Sequence, residues 1–225
     1  MNKASDITKW IAAQNPKSLT ATGRLIFRVP LEVVLLGVSL DRSAPLTRTN
    51  VGCVILPLCK PVEGIYFEVG TALGVFGLHR FYGGDLTKEE PLLELKDIVL
   101  ENLLPQWDSL SDVERCIEYL LSVPFYKPKS DGFLLESLVC LSAYQRTYER
   151  CLEFIEGWRV YSRTESGLRL SDTSSFHSQR MVVETVEKYI LCEDYQQLRG
   201  QLDKWYQKSL TKLGLTRYTK FKIDG

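Results

Sequence analysis

Histidine is the scarcest chemical resource in this 225-residue chain, with only His79 and His177 present. His177 has Ser174, Ser175 and Ser178 around it. A serine nucleophile needs such a base within reach. Serines beside a histidine are also ordinary loop chemistry, and the plainer reading is a loop or cap histidine. Neither histidine has a cysteine or a second histidine at ligand spacing, so no zinc site is expected. Cys59 precedes Lys60 at the end of an apolar run and is the least unfavourable thiol nucleophile. Reactive thiols need an exposed, electropositive setting, so a partly buried strand thiol fits better.

Two further patterns have the letters of catalysis without the context. Gly70, Gly74, Gly77, Gly83 and Gly84 match neither the dinucleotide fingerprint nor the phosphate-binding loop. Glu94-Leu-Lys96, with Asp85 upstream, has the letters of a metal-dependent nuclease. Glu94 and Lys96 fall inside a helical pattern, where they stand about 200° apart and do not converge on one metal. No catalytic residue, metal or cofactor is therefore expected, and the chain reads as a non-enzyme.

The sharpest constellation is a row of acids: Glu90, Glu94, Asp97 and Glu101, spaced four, three and four. On a helix they share roughly 60° of arc, opposite Leu92, Leu95, Val99 and Leu103. Like charges at this spacing repel by about 0.2–0.5 kcal/mol per pair. The stripe is expected either to be a solvated face helping the helix N-terminus or to meet a basic partner. It is the candidate partner-binding site.

Positioning that stripe requires a helix after a sheet. Ser5 and Asp6 open a short amphipathic helix that Asn15-Pro16 closes. GRLIFRV (23–29), EVVLLGVSL (32–40), VGCVILPLC (51–59) and IYFEVGTALGVF (65–76) read as strands of an antiparallel meander. The contiguous Val33, Val34, Leu35 and Leu36 predict a strand buried on both faces. Residues 77–85 read as a fifth short strand or a loop. The period changes at Leu86. Thr87-Lys-Glu-Glu90 matches a capping box, or Glu90 caps with Pro91 at the first helical position. That helix is expected to end at Pro105. Ser111-Asp-Val-Glu114 opens another, and 124–132 is a linker-like break. Two helices are expected in 133–163, a polar loop in 162–175, and a helix from Phe176 to Leu213 kinked or divided at Gly200. The last ten residues read as a closing edge strand. The fold class is α+β: a leading helix, a meander, and about five helices. The expected division is 1–123 and 124–225.

Composition bounds the partners. The chain holds 28 Lys/Arg and 28 Asp/Glu. Residues 1–125 hold 12 basic against 15 acidic, and the remainder 16 against 13. That balance argues against a nucleic-acid binder. Cys53, Cys59, Cys116, Cys140, Cys151 and Cys192 are scattered in apolar runs and read as buried free thiols of a reducing compartment. The N-terminus has no run resembling a signal peptide, and no window approaches the roughly 18 apolar residues a membrane span needs. A cytoplasmic protein with no membrane partner is expected.

The segment GRLIFRVPLEVVLLGVSLDRS…NVGCVILPLC…IYFEVGTALG, followed by DGFLLESLVCLSAYQRTYERCLEFIEGW, resembles small bacterial domains of unknown function found in toxin–immunity loci. The resemblance spans about residues 23–160 and is one of layout. It implies a cytoplasmic protein that blocks a basic toxin domain by binding it, through acidic surfaces, and it carries no functional residue over by position. The rival expectations are an enzyme built around His79, Asp85 or His177, of hydrolase or nuclease type, and a helical adaptor with an exposed apolar patch on the 133–213 helices.

Overall fold

The computed structural model describes residues 3–40, 45–49, 51–62, 85–122 and 131–219. The expected strand at 65–76, most of 77–85 with His79, and most of the 124–132 break lie outside the described residues. The chain forms two compact units. The first takes the described residues of 1–56, 65–112 and 217–225; the second takes those of 57–64 and 113–216.

The first unit begins with α1 (Ala4–Ala12), whose Ile7 and Ile11 are fully buried. A four-stranded antiparallel sheet follows in the order β1 (Leu19–Thr22), β2 (Leu25–Arg28), β3 (Val34–Leu40) and β4 (Val51–Pro57). The α+β class and the meander stand as expected. β3 and β4 are buried at nearly every position, which matches their contiguous apolar residues. β1 was not expected: Leu-Thr-Ala-Thr offers one large apolar residue. It pairs antiparallel with β2 from Leu19↔Arg28 to Thr22↔Leu25, and β2 pairs with β3 from Leu25↔Ser39 to Phe27↔Gly37. Gly23 turns the first hairpin with φ +56°. At Gly37 the two strands approach so closely that a Cβ would lie 2.5 Å from the Ile26 carbonyl oxygen.

The first unit then enters α2 (Glu89–Asp97), passes through one π-helical segment (Ile98–Leu103), and continues as α3 (Leu104–Leu110). Pro105 does not end the helix. Proline lacks an N–H and crowds the carbonyl four residues back. The wider π turn lies just before it, where that crowding falls. The Arg28 guanidinium on β2 bonds Asp108 on α3 at 2.8 Å. Of the expected closing strand at 216–225, residues 220–225 lie outside the described residues; Thr216–Tyr218 form a 3-10 turn, with one parallel bridge between Leu31 and Thr219. Tyr218 then packs edge-on against Phe27 at 5.1 Å.

The second unit is helical: α4 (Val113–Ser122), α5 (Gly132–Gln145), α6 (Tyr148–Ser162), α7 (Glu165–Leu170), α8 (Ser174–Leu191) and α9 (Tyr195–Leu213). GFLLESLVCLSA is apolar all round and becomes the central helix, α5, packed by α4, α6, α8 and α9. Asp131 caps it, accepting the Phe133 and Leu134 N–H groups. The 162–175 stretch, expected to be loop, holds α7, capped by Thr164. The helix expected to kink or divide at Gly200 divides earlier, at Cys192–Asp194. Glu193 there takes φ +56°, and Asp194 caps α9 by accepting the Gln197 N–H. Gly200 sits inside an uninterrupted α9.

Candidate functional site

The acidic row lies on one continuous rod. Leu95, Val99, Leu103, Leu104 and Trp107 are buried, which seats that side of α2, the π segment and α3 in the core. Leu92 is only half-buried. Glu90, Glu94 and Glu101 are exposed and Asp97 is half-buried. Asp97 is neutralised locally, with the Lys96 ammonium 2.8 Å away. Among the described residues nothing pairs with Glu90, Glu94 or Glu101. Glu101 lies within the π segment, where each residue advances less around the axis, so it falls out of line with the other three. The face holds two unpaired carboxylates, Glu90 and Glu94, and the compensated Asp97, with the unpaired Glu101 displaced beside them.

The start of α2 differs from both capping expectations. Lys88 stands at the N-cap and makes no side-chain cap bond. Thr87 serves Asp85 instead, donating both its hydroxyl, at 2.5 Å, and its N–H, at 3.1 Å, to Oδ1. These bonds hold the Asp85 carboxyl below its ordinary range. Glu89 and Glu90 occupy the first turn, where the helix dipole favours negative charge.

The letters of nuclease chemistry fall on α2 as the spacing indicated, and Lys96 turns to Asp97 rather than Glu94. Cys59 is fully buried, and burial pushes its thiol up to about 12, against which neighbouring Lys60 acts only weakly. It is a protonated core thiol, the reverse of an activated one. His177 is exposed on the first turn of α8 beside Arg180 and Glu184, which together line a shallow surface hollow. Among the described residues no group of three or more His, Cys, Asp or Glu side chains is placed to hold a metal ion. Five cysteines are buried free thiols; Cys192, at the C-terminal end of α8, is exposed, contrary to the expectation for all six.

No family model, no curated protein and no solved structure matches the chain. The residues themselves must carry any functional reading. Among the described residues, no helix is long and apolar enough to cross a membrane.

One charged pair escaped sequence reasoning. Lys60 Nζ donates to Glu136 Oε2 at 2.9 Å, with the two side chains only 1% and 5% exposed. The Ser209 hydroxyl of α9 donates to the Lys60 carbonyl at 2.7 Å. The segment after β4 is thereby fastened to both α5 and α9 within the second unit. The available signal was a single charge inside an apolar run, twice: Lys60 after VILPLC and Glu136 within LLESLVCL. Their separation of 76 positions along the chain hides the pairing.

Proposed function

We propose that this chain is a non-enzymatic protein-binding protein, most concretely a bacterial immunity protein that occludes a cognate toxin through the acidic face of α2. The observation that supports this is the trio Glu90, Glu94 and Glu101: exposed carboxylates, unpaired among the described residues, on a helix whose opposite side is locked in the core. Such a face repels itself in the free protein and is relieved by a basic partner, so complex formation gains both attraction and relief. A rigid helix also presents its charges without an ordering cost at binding.

The test is charge reversal. Glu90→Lys, Glu94→Lys and Glu101→Lys together are expected to leave far-UV circular dichroism unchanged. They are expected to weaken binding to a purified partner, obtained by pull-down from the native host, by tenfold or more at low salt. Unchanged affinity removes the stripe from the account.

A second reading, a helical adaptor, is favoured by large apolar side chains exposed on the second unit, including Leu168 at 61% and Leu191 at 66%. A partner lost with Leu168→Asp and Leu191→Asp, yet retained after the glutamate reversals, selects that reading.

A further inference from the structure

We infer that the first unit carries a second binding surface: a groove of about 590 Å³ that receives an acidic, extended peptide segment of a partner protein. Its volume falls within the range of ligand sites. This inference is independent of the α2 reading, because it uses other residues and the opposite charge.

The rim is cationic. Lys9 comes from α1, Lys17 from the turn after it, and Arg217 from the 3-10 turn near the C-terminus; all three are exposed. The Arg217 guanidinium lies 4.7 Å from the centre of the Tyr218 ring, which steadies it on the rim. Among the described residues no carboxylate lines the groove and none pairs with these three cations. Six guanidinium groups elsewhere, those of Arg28, Arg150, Arg159, Arg169, Arg180 and Arg199, each meet a carboxylate. Three cations left together in a chain of zero formal net charge are a local positive field over a low-dielectric floor.

The floor and wall select a peptide among anions. Leu19 is buried and Val29 and Pro30 are half-buried beneath the rim, an apolar bed for a side chain. The wall includes β1, which among the described residues is an edge strand paired with β2 alone. The hairpin closes at Thr22↔Leu25 across two residues, so Thr22 and Thr20 direct their backbone groups to β2 while Ala21 and Leu19 direct theirs outward. The Leu19 N–H is taken by the Asn15 carbonyl at 2.8 Å; Ala21 lines the groove. An extended peptide gains main-chain pairing at such an edge, and its alternate side chains meet the rim and the bed. Inorganic phosphate or single-stranded nucleic acid would use the rim alone.

The probe is a fluorescein-labelled peptide of alternating Glu and Leu, seven residues long, read by fluorescence anisotropy on the intact protein. Saturable binding is expected, weakened tenfold or more by Lys9→Gln, Lys17→Gln and Arg217→Gln together, and unaffected by the α2 charge reversals. Should the triple variant unfold, Lys17→Glu alone, in an exposed turn, is expected to weaken binding at least threefold. Absence of saturable binding overturns the inference, as does equal binding of a labelled control peptide of the same length with Lys in place of Glu. Tighter binding of pyrophosphate or oligo-dT at the same cations reassigns the groove to phosphate anions and overturns it too. So does a concentration-dependent dimer abolished by the same substitutions, which would place a second copy there.

Discussion

Burial decides what each charged or nucleophilic residue does. Lys60 and Glu136 lie within the second unit's core, 2.9 Å apart, and each charge offsets the other's desolvation. Glu136→Gln removes the carboxylate facing the ammonium, and Lys60→Met removes the ammonium facing the carboxylate. Either single change is expected to cost about 3–5 kcal/mol in urea unfolding, because it breaks a buried ion pair and leaves one charge less compensated. The double change Lys60→Met with Glu136→Leu is expected to recover most of that loss, since an apolar pair of similar volume needs no desolvation. A double variant as unstable as the singles would contradict this account. The same contrast separates the thiols. Under native conditions at pH 8, Ellman's reagent is expected to titrate Cys192 promptly. Cys53, Cys59, Cys116, Cys140 and Cys151 are expected to react only on unfolding, because they are buried and thiolates are what react. A second fast thiol in the native protein would refute it.

At the level of elements, what was legible followed from period and composition, and what was not followed from tertiary contact. β-branched runs marked β2, β3 and β4, and the switch to helical spacing near Leu86 anticipated α2. The acidic face was readable because helix spacing alone groups Glu90, Glu94, Asp97 and Glu101. Its partial neutralisation was not, because it depends on the Lys96 ammonium turning to Asp97. Pro105 and Gly200 misled for one reason: both are poor helix residues in isolation, and packing overrides propensity. Asp194 was the better boundary marker, a capping residue three positions before Gln197. The glycines give opposite expectations. An added Cβ at Gly200 meets nothing within 4 Å on a solvent-facing, regular helix. Gly200→Ala is therefore expected to raise stability by about 0.5–1 kcal/mol through lost unfolded-state freedom. Gly37→Ala drives a Cβ to 2.5 Å from the Ile26 carbonyl oxygen and is expected to destabilise by about 1–3 kcal/mol. Thermal unfolding of the two variants checks both signs.

For the whole molecule, zero net formal charge conceals segregation: an acidic helix face and a cationic groove are both built within the first unit. Composition averages such patches away, which is why the charge balance alone could speak only against a nucleic-acid binder. The buried thiols add a property of the chain as a whole, a stability that depends on pH. Desolvation pushes Cys59 and Cys151 up to about 12, from an ordinary value of 9.0, and raises Cys53 and Cys140 as well. Below pH about 9 the thiols are protonated in the folded and the unfolded chain, and their contribution is fully present. Above it the unfolded chain releases these protons while the folded chain keeps them, so the unfolded state binds fewer protons and stability falls as pH rises. Each thiol contributes a slope of about 1.4 kcal/mol per pH unit once its unfolded form is ionised. The second unit holds Cys59, Cys140 and Cys151, the first only Cys53 among these four. Urea midpoints at pH 8, 9 and 10 are therefore expected to fall, with the helical unit losing more. Lysines and tyrosines titrate over the same range, so the decisive comparison is with Cys59→Ala and Cys151→Ala. That variant starts less stable because of its cavities, but its dependence on pH is expected to be flatter by two thiols' worth. An identical slope in the two proteins would show that the thiols do not govern alkaline unfolding.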